Sequence, residues 1–484
     1  MFLNRLLLWP PALIFLAILF GGHEARAQKI WTLEDCINYA LENNLDIQKQ
    51  ILQVESNKKN LLQSALNMLP NLNANGTNVW NFGQTIDQYT NTFATSTVRS
   101  NNFYIQTGVT LFNGLQKINT LKKNQINVLA SKYDLDVLKN SISLTVAGYY
   151  LDILFNRELQ QVAREQLAIT TSQVDRIQKM VEAGASAKGD LLNIQAQKAA
   201  EELALVEANN RLNISNLSLQ QLIDLEVTRD FQIEKPALKQ VEAPKDNITP
   251  EVVYEHALKA RPEIQAAEMR VKSAQKTLAI ARGTLYPNLT FGGSWGTGYS
   301  GAAREIDPDV APVVKMQKIG ITQMSRDTVM GYSWSYGSRV TSFNDQLKQN
   351  ENQSIGFYLS IPIFNGWSSR TAISQAKIGH SQAELDLDIK KRDLRKIIEQ
   401  AYADAVASLQ KFNSSEEKVT AQEESFKYTQ QKFDVGMMTS FDYNNSKKDL
   451  TKAQSDLLQA KYDFIFKTTI LDFYMGNPIR INRE

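Results

Sequence analysis

Apolar residues recur every three or four positions over a very long stretch of this chain. From Leu115 to Ala183 the pattern continues for 69 residues without an internal proline, and Val174, Ile177 and Val181 follow coiled-coil spacing. An α-helix of that length extends about 100 Å at ~1.5 Å per residue. The pattern therefore predicts a helix far longer than a globular domain of this size requires.

Two shorter helical patterns flank the long one. The first covers Leu33 to Leu69 and stops at Pro70. After the long helix, the segment Gly184 to Gly189 breaks the pattern, and Asp190 is expected to restart it as an N-cap for a helix to about Leu222. The two short helices together are as long as the long one. They can therefore stack end to end beside it.

Alternating apolar and polar residues predict β-strands between the helices. The alternation is seen in Phe103 to Leu111, Leu289 to Trp295 and Ile355 to Ile363. Aromatic residues lie toward the ends of these segments, at Tyr286, Tyr358 and Trp367. Segments of about 10 residues with this pattern are typical of membrane-spanning strands. Ordinary hairpins on a soluble domain remain the alternative explanation.

The chain repeats itself. An offset of 217 positions carries Pro70-Asn71-Leu72 onto Pro287-Asn288-Leu289, and an offset of 252 carries Leu111-Phe112-Asn113-Gly114 onto Ile363-Phe364-Asn365-Gly366. The offsets differ by 35, which predicts one insertion between Gly293 and Ser354. Two similar halves indicate one pseudo-symmetric fold.

The repeat divides the chain into a signal segment and two halves, 1–27, 28–247 and 248–484. In the first half we expect a strand pair at 71–112, helices at 115–183 and 190–222, and a linker at 225–247. In the second half we expect a strand pair at 288–364 with a long external loop, and helices at 367–435 and 442–475.

Four strands in one chain cannot close a barrel, and an open sheet edge is not tolerated in hydrocarbon. This strand count argues against a monomeric porin. Copies of the chain must therefore pool their strands. Two copies would give eight strands with a filled interior, and three would give twelve with a lumen. Because both ends of each strand pair lead into helices, all the helices are expected on one side of the membrane.

The N-terminus has the layout of a cleavable secretory signal in residues 1–27, with Arg5, an apolar core from Leu6 to Phe20, and Ala25-Arg26-Ala27 before the cleavage point. An uncleaved anchor is the alternative. Without this segment the chain carries 51 basic and 50 acidic residues, a balance that argues against a nucleic-acid partner. The one cysteine, Cys36, is expected to be a small buried hydrophobe.

The sequence contains no convincing catalytic or metal-binding pattern. Gly292-Gly293-Ser294-Trp295-Gly296 matches G-x-S-x-G, but a nucleophile elbow needs a strand-to-helix turn, and this segment continues as an alternating strand. The histidines His23, His256 and His380 lack metal-ligand spacing. We expect no enzymatic activity, no cofactor and no metal.

Several short motifs, in order and duplicated, resemble the TolC-type outer membrane efflux proteins over essentially the whole mature chain. They are Leu33-Glu34-Asp35 with Tyr39-Ala40-Leu41, Arg261-Pro262-Glu263-Ile264, Tyr286-Pro287-Asn288-Leu289, Ile361-Pro362-Ile363-Phe364-Asn365-Gly366, and Phe433-Asp434-Val435-Gly436 followed by Asp442.

The resemblance implies an α+β membrane protein: a homotrimer with a twelve-stranded transmembrane β-barrel, four strands per chain, continuous with a long periplasmic α-helical coiled-coil tunnel. Leu225 to Pro250 and the C-terminus would contribute to an equatorial region. The protein would lie in the outer membrane lipid of a Gram-negative cell and extend into the periplasm. It would dock onto a periplasmic adaptor (membrane fusion) protein and an inner-membrane pump of RND, ABC or MFS type, and serve efflux or type I secretion.

The resemblance also assigns the periplasmic tip to two turns, Gly184 to Asp190 and Gly436 to Asp442. Gly184 and Gly436 are expected at the adaptor-docking surface. The expected pore constriction comprises Asp190, Asp442, Phe433, Met438 and Asn445. Where the family's best-studied type latches the second turn with a tyrosine and an arginine, this chain has Phe433 and Met438, which cannot make those bonds. A non-transporting, envelope-spanning structural coiled coil is the competing functional hypothesis.

Overall fold

The computed structural model describes residues 30–87, 89–94, 97–227, 231–236 and 249–479. The predicted signal segment lies outside the described residues, as do 228–230 and 237–247 of the linker expected at 225–247. The chain forms two compact units. The first comprises Met1–Val54, Ser131–Ala267 and Leu387–Glu484, and the second comprises Glu55–Ala130 and Glu268–Asp386. Each unit thus contains segments from both sequence halves.

The described helices are α1 (Leu33–Asn43), α2 (Leu45–Leu66), α3 (Gln116–Glu182), α4 (Lys188–Leu222), α5 (Pro250–Ala260), α6 (Pro262–Gly283), α7 (Phe343–Gln349), α8 (Ser368–Asp434) and α9 (Ser440–Tyr474). Helices α3 and α8 have 67 residues each, and α4 and α9 have 35 each. Likewise α1 and α5 have 11 residues each, and α2 and α6 have 22 each. These matched lengths confirm the predicted internal repeat.

The prediction of one helix from Leu33 to Leu69 is wrong, because the helix is interrupted at Asn44. The backbone of Asn44 is extended, with ψ of 127°, and its side-chain Oδ1 accepts hydrogen bonds from the N–H groups of Asp46 (3.0 Å) and Ile47 (3.3 Å). Asparagine is a favoured N-cap because its oxygen satisfies the free N–H groups of a helix start. Asn44 therefore ends α1 and begins α2.

The core of the first unit is apolar and gathers around the N-terminal helix. Leu33, Cys36 and Ala40 of α1 are buried against α3, whose contribution includes Val146 and Tyr150. Cys36 has no exposed surface, as the sequence indicated. A second buried cluster joins α5, α6, α8 and α9 in the same unit. No described helix is both long and apolar enough to cross a membrane.

The described strands are β1 (Ile30–Trp31), β2 (Asn71–Asn81), β3 (Thr85–Ile86), β4 (Phe93–Ala94), β5 (Val98–Asn113), β6 (Gln232–Ile233), β7 (Asn288–Ser300), β8 (Arg304–Ile306), β9 (Val313–Ile321), β10 (Thr328–Ser335), β11 (Ser338–Val340) and β12 (Asn352–Ser360). In the second unit, four of them form an antiparallel sheet in the order β12-β7-β5-β2. The predicted four strands are confirmed, and the G-x-S-x-G segment lies within β7.

The two faces of this sheet differ sharply in chemistry. One face carries Leu72, Phe103, Ile105, Val109, Leu289, Phe291, Trp295, Ile355, Phe357 and Leu359. The other carries Asn73, Asn75, Gln106, Gly108, Thr290, Gly292, Ser294, Ser354 and Gly356, with Tyr104 and Tyr358 among them. The apolar side chains at the β12 edge are exposed, with Ile355 at 80% and Phe357 at 69%. A sheet in water normally buries its apolar face, whereas this one leaves it open.

The predicted insertion forms structure of its own between β7 and β12. Strands β8 and β11 pair, β9 and β10 form a separate two-stranded ribbon, and α7 precedes β12. Gln346 of α7 is 2% exposed and bonds the backbone of Ser300 in both directions, accepting from its N–H (2.8 Å) and donating to its C=O (2.9 Å). Helix α7 is therefore anchored to the end of β7, unlike the ribbon.

This anchoring predicts that the ribbon and α7 respond differently to mutation. Replacing 313–335 by a short turn should preserve the fold of the single chain, because within one chain this segment is exposed surface structure. Gln346→Ala should destabilise the fold by about 1–3 kcal/mol, because it leaves buried backbone groups unsatisfied. Thermal unfolding of both variants tests this, with the exposed neighbour Lys348→Ala as control. A ribbon deletion as damaging as Gln346→Ala would contradict it.

Candidate functional site

Two equivalent turns of five residues connect the long helices to the shorter ones in the first unit. Gly184 has φ of +70° and Gly436 has φ of +75°. In each turn the glycine N–H bonds the carbonyl three residues back, and the next N–H reaches five residues back, as in Ala185 N to Met180 O (2.7 Å) and Met437 N to Lys432 O (2.9 Å). These bonds form the Schellman motif, which favours glycine at the left-handed position.

The surfaces of the two turns are unequal. A Cβ added to Gly184 or Gly436 would meet nothing within 4 Å, so both turns are open on the outside. The first turn consists of residues with small side chains, Ala183-Gly184-Ala185-Ser186-Ala187. The second turn and the start of its helix expose three large apolar side chains, Val435 (69%), Met437 (79%) and Phe441 (69%).

Asp190 is not the N-cap that the sequence predicts, and the matching Asp442 is not an N-cap either. Helices α4 and α9 begin two residues earlier, which places both carboxylates at the third helical position. Thr439 is the actual N-cap of α9, and its Oγ1 accepts from Asp442 N (3.1 Å) and donates to Asp442 Oδ2 (2.7 Å). Carboxylates in a first helical turn are favoured by the helix dipole.

The two aspartates also have different surroundings. Asp190 is half-buried and accepts hydrogen bonds from Ser186 Oγ (3.1 Å) and from Ser440 Oγ (3.2 Å) of the other turn. Asp442 is exposed. Asp190 therefore joins the two turns, whereas the carboxylate of Asp442 faces solvent.

The remaining predicted residues divide between packing and surface. The ring of Phe433 lies 4.6 Å from the ring of Tyr443 and packs against the apolar cluster of Val174, Ile177 and Ile194. Met438 is half-buried, and Asn445 is exposed. The coiled-coil spacing seen in α3 thus predicted part of this cluster, and Phe433 contributes to packing rather than to an open surface.

Polar contacts that the sequence does not predict connect α3 to the end of α8 and the start of α9. Arg176 Nη1 lies 2.5 Å from Asp434 Oδ1, with the two side chains 50% and 42% exposed. Close by, Gln173 donates a hydrogen bond to the hydroxyl of Tyr443. Burial raises the pKa of the Tyr443 hydroxyl above its usual value. The nearby negative charges of Asp434 and Glu201 raise it further, by smaller amounts. Tyr443 therefore remains a neutral hydrogen-bonding group.

A buried ion pair joins α3, α4 and α9 deeper in the unit. Lys447 is 2% exposed, and its Nζ donates to Glu201 Oε1 (3.1 Å), to the carbonyl of Gln166 (3.1 Å) and to Thr170 Oγ1. Burial lowers the pKa of Lys447, and Glu201 opposes that shift. Loss of one partner from a buried pair typically costs about 3–5 kcal/mol. The sequence signal was a lysine in the buried stripe of Tyr443, Leu450 and Ala453.

Comparison with known proteins gives three kinds of match. The family model described as "Outer membrane efflux protein" matches residues 36–224 and 253–477. The chain is 28% identical over 145 residues to the alkaline protease secretion protein AprF of Pseudomonas aeruginosa, covering 30% of each. It is 21% identical over 313 residues to the outer membrane protein TolC of Vibrio cholerae, covering 65% of this chain and 62% of that relative.

These alignments cover less than two thirds of the length of either relative. Among solved structures, the chain resembles CusC with a TM-score of 0.73 and 16% identity, covering 92% of each chain. That structure is described in terms of folding and transmembrane channel formation. The likeness establishes the fold of this chain.

Proposed function

This chain belongs to the outer membrane efflux protein family, and we propose that it is the outer membrane channel of a tripartite efflux or type I secretion system. It would export substrates from the periplasm or cytoplasm across the outer membrane of a Gram-negative cell. The observation that carries the proposal is the four-stranded sheet with one exposed apolar face and one polar face. The competing structural coiled coil has no need of such a sheet.

The dimensions of the sheet suit a lipid bilayer. Its strands contain 9 to 16 residues, and about 9–11 tilted residues cross the hydrocarbon. Lipid would cover the exposed apolar face that includes Ile355 and Phe357. The face with Ser294, Ser354 and Gly292 would line a polar lumen, as the alternation in transmembrane barrels requires.

The free edges of the sheet indicate how the channel assembles. Among the described residues, β2 and β12 are the edge strands, each paired on one side. In hydrocarbon, unpaired backbone groups find no water, so β2 of one copy would pair with β12 of the next. Three copies would give twelve strands and an open lumen, whereas two would give eight and a filled interior. We therefore favour the homotrimer.

The two turns would form the periplasmic tip. Gly184 and Gly436 would belong to the surface that docks a periplasmic adaptor, and the open space around both glycines supports this. Exposed Met437 and Phe441 would supply apolar contacts there. An inner-membrane pump would complete the assembly. The exposed Asp442 and Asn445, with Asp190 and Met438 nearby, would form the constriction, and Phe433 would support it by packing behind them.

The closed state would be held by contacts other than the family latch, which Phe433 and Met438 cannot make. The ion pair between Arg176 and Asp434 ties α3 to the end of α8. The bond from Ser440 to Asp190 ties the two turns together. Both contacts lie at or beside the two turns, where we propose that the channel closes.

The assembly prediction is a stable trimer in detergent, with about three times the mass of the mature chain, because four strands cannot seal themselves. Light scattering measures the mass, and planar-bilayer recording should detect discrete channels. A folded monomer would overturn the barrel. A trimer without conductance would favour the structural coiled coil.

The charge prediction concerns Asp442. Three exposed copies around a narrow opening should attract cations strongly at low salt and less at high salt. Asp442→Asn should therefore weaken block of single-channel current by multivalent cations. Asp175→Asn removes an exposed carboxylate from α3 and should leave block unchanged. Equal effects of the two substitutions would show that Asp442 is not at the constriction.

The docking prediction concerns Gly436. Gly436→Trp should abolish export in cells while the purified trimer still conducts, because the side chain projects from the proposed docking surface. Gly436→Asn is the matched control, since asparagine tolerates positive φ and adds little bulk. Normal export by the Trp variant, or equal loss in both variants, would refute the docking role.

The ion pair between Arg176 and Asp434 would help to hold the channel closed. Exposed ion pairs contribute about 0.2–1 kcal/mol of interaction energy. Loss of one pair in Arg176→Ala should therefore shift the closed-to-open equilibrium toward the open channel by up to about fivefold for each pair lost. Asp434→Ala should act similarly. Exchanging the charges with Arg176→Asp and Asp434→Arg together should restore closure in single-channel recordings. An exchange variant as open as the single variants would argue against a role of this ion pair in closure.

A further inference from the structure

The inserted ribbon of β9 and β10 has one apolar face that nothing in the described chain covers. Paired residues along the two strands place six large apolar side chains on that face: Val314, Met316, Ile321, Met330, Tyr332 and Trp334. Their exposed fractions range from 44% for Val314 to 76% for Tyr332. The opposite face carries Lys315, Gln317, Ser333 and Ser335 together with Val313 and Val329, and the Ile319 side chain lies against Gly331 there. The first face is the more apolar of the two, with Lys318 as its charged residue.

Such a ribbon needs a partner surface. An isolated two-stranded hairpin is at best marginally stable in water, and contiguous exposed apolar patches generally mark interaction sites. The ribbon pairs with no other described strand. We therefore expect its apolar face to be covered by a partner outside this chain.

A second exposed apolar surface lies in the loop between β2 and β5. Phe82 is 78% exposed, and Ile86 (59%) and Phe93 (70%) are paired across β3 and β4. Both loops join hairpins of the same antiparallel sheet, so they lie at the same end of it. Segment 82–97 contains no lysine or arginine, so it would not repel Lys318 on the apolar face of the ribbon.

Sheet order decides which surfaces meet between copies. The ribbon belongs to the hairpin with edge strand β12, and Phe82 and Phe93 belong to the hairpin with edge strand β2. If copies join by pairing β12 with β2, the ribbon of one chain lies beside the Phe82 loop of the next. We propose that the apolar face of the ribbon docks onto the loop of Phe82, Ile86 and Phe93 in the neighbouring copy.

This inference rests on the proposed trimer, and it adds a second contact between subunits beyond the strand edges. The contact would form at the loop end of the barrel. Each subunit would both give and receive it, so three identical contacts would close around the assembly.

Cross-linking between two differently tagged full-length chains tests the contact. Both chains carry Cys36→Ala, which removes the buried native thiol. One also carries Phe93→Cys and the other Tyr332→Cys, and they are co-expressed and treated in membranes with a short bis-maleimide. A product carrying both tags is expected. Ser333→Cys, on the opposite ribbon face, replaces Tyr332→Cys in the control and should give at least fivefold less product.

Each alternative occupant gives a distinct result that overturns the proposal. Equal yields from Tyr332→Cys and Ser333→Cys would mean no defined contact. A single chain that carries both Phe93→Cys and Tyr332→Cys is treated in parallel, and cross-linking confined to that chain would mean that the ribbon folds onto its own loop. No product, with Tyr332→Cys protected from a water-soluble maleimide in membranes but labelled in detergent, would mean that lipid covers the face. No product, with labelling in both, would mean an open surface.

Light scattering on the same samples separates this inference from the proposed function. A trimer without the mixed product would refute the ribbon contact alone. A monomer would refute the barrel, and the ribbon contact with it.

Discussion

The whole arrangement depends on the need of backbone N–H and C=O groups for hydrogen-bond partners. In water an edge strand is satisfied by solvent, but in hydrocarbon it is not. The described chain supplies four strands to this sheet and leaves β2 and β12 with free edges, so a closed barrel would need several copies. The apolar face, the polar lumen and the proposed contacts between loops all follow from closing those two edges.

The helical part of the fold could be predicted from the sequence because its signals are long and repeated. The predicted helix from 115 to 183 differs from the observed Gln116–Glu182 by one residue at each end. The break at Asn44 was missed, since no proline marks it. Yet the 217-residue offset places Asn44 opposite Arg261, directly before Pro262, where the second half does mark the break. The repeat itself therefore contained the missing signal.

The candidate site was predictable in position but not in detail. Glycines and aspartates at matching offsets located both turns, because backbone reversals impose local sequence requirements. The partners of those residues could not be predicted, because they lie on other helices. Arg176 meets Asp434 across 258 positions, and Lys447 meets Glu201 across 246. Periodicity shows which face of a helix is buried, but it does not identify the side chain opposite.

The unequal surfaces of the two turns have a consequence for symmetry. Gly184 and Gly436 have nearly the same backbone, but Ala183, Ala185 and Ala187 surround the first, and Val435, Met437 and Phe441 surround the second. In the proposed trimer, six turns would form a ring in which the two kinds alternate. The backbone would approach sixfold symmetry, while the side chains would allow only threefold symmetry. A partner with six identical docking elements would therefore bind in two inequivalent sets of three.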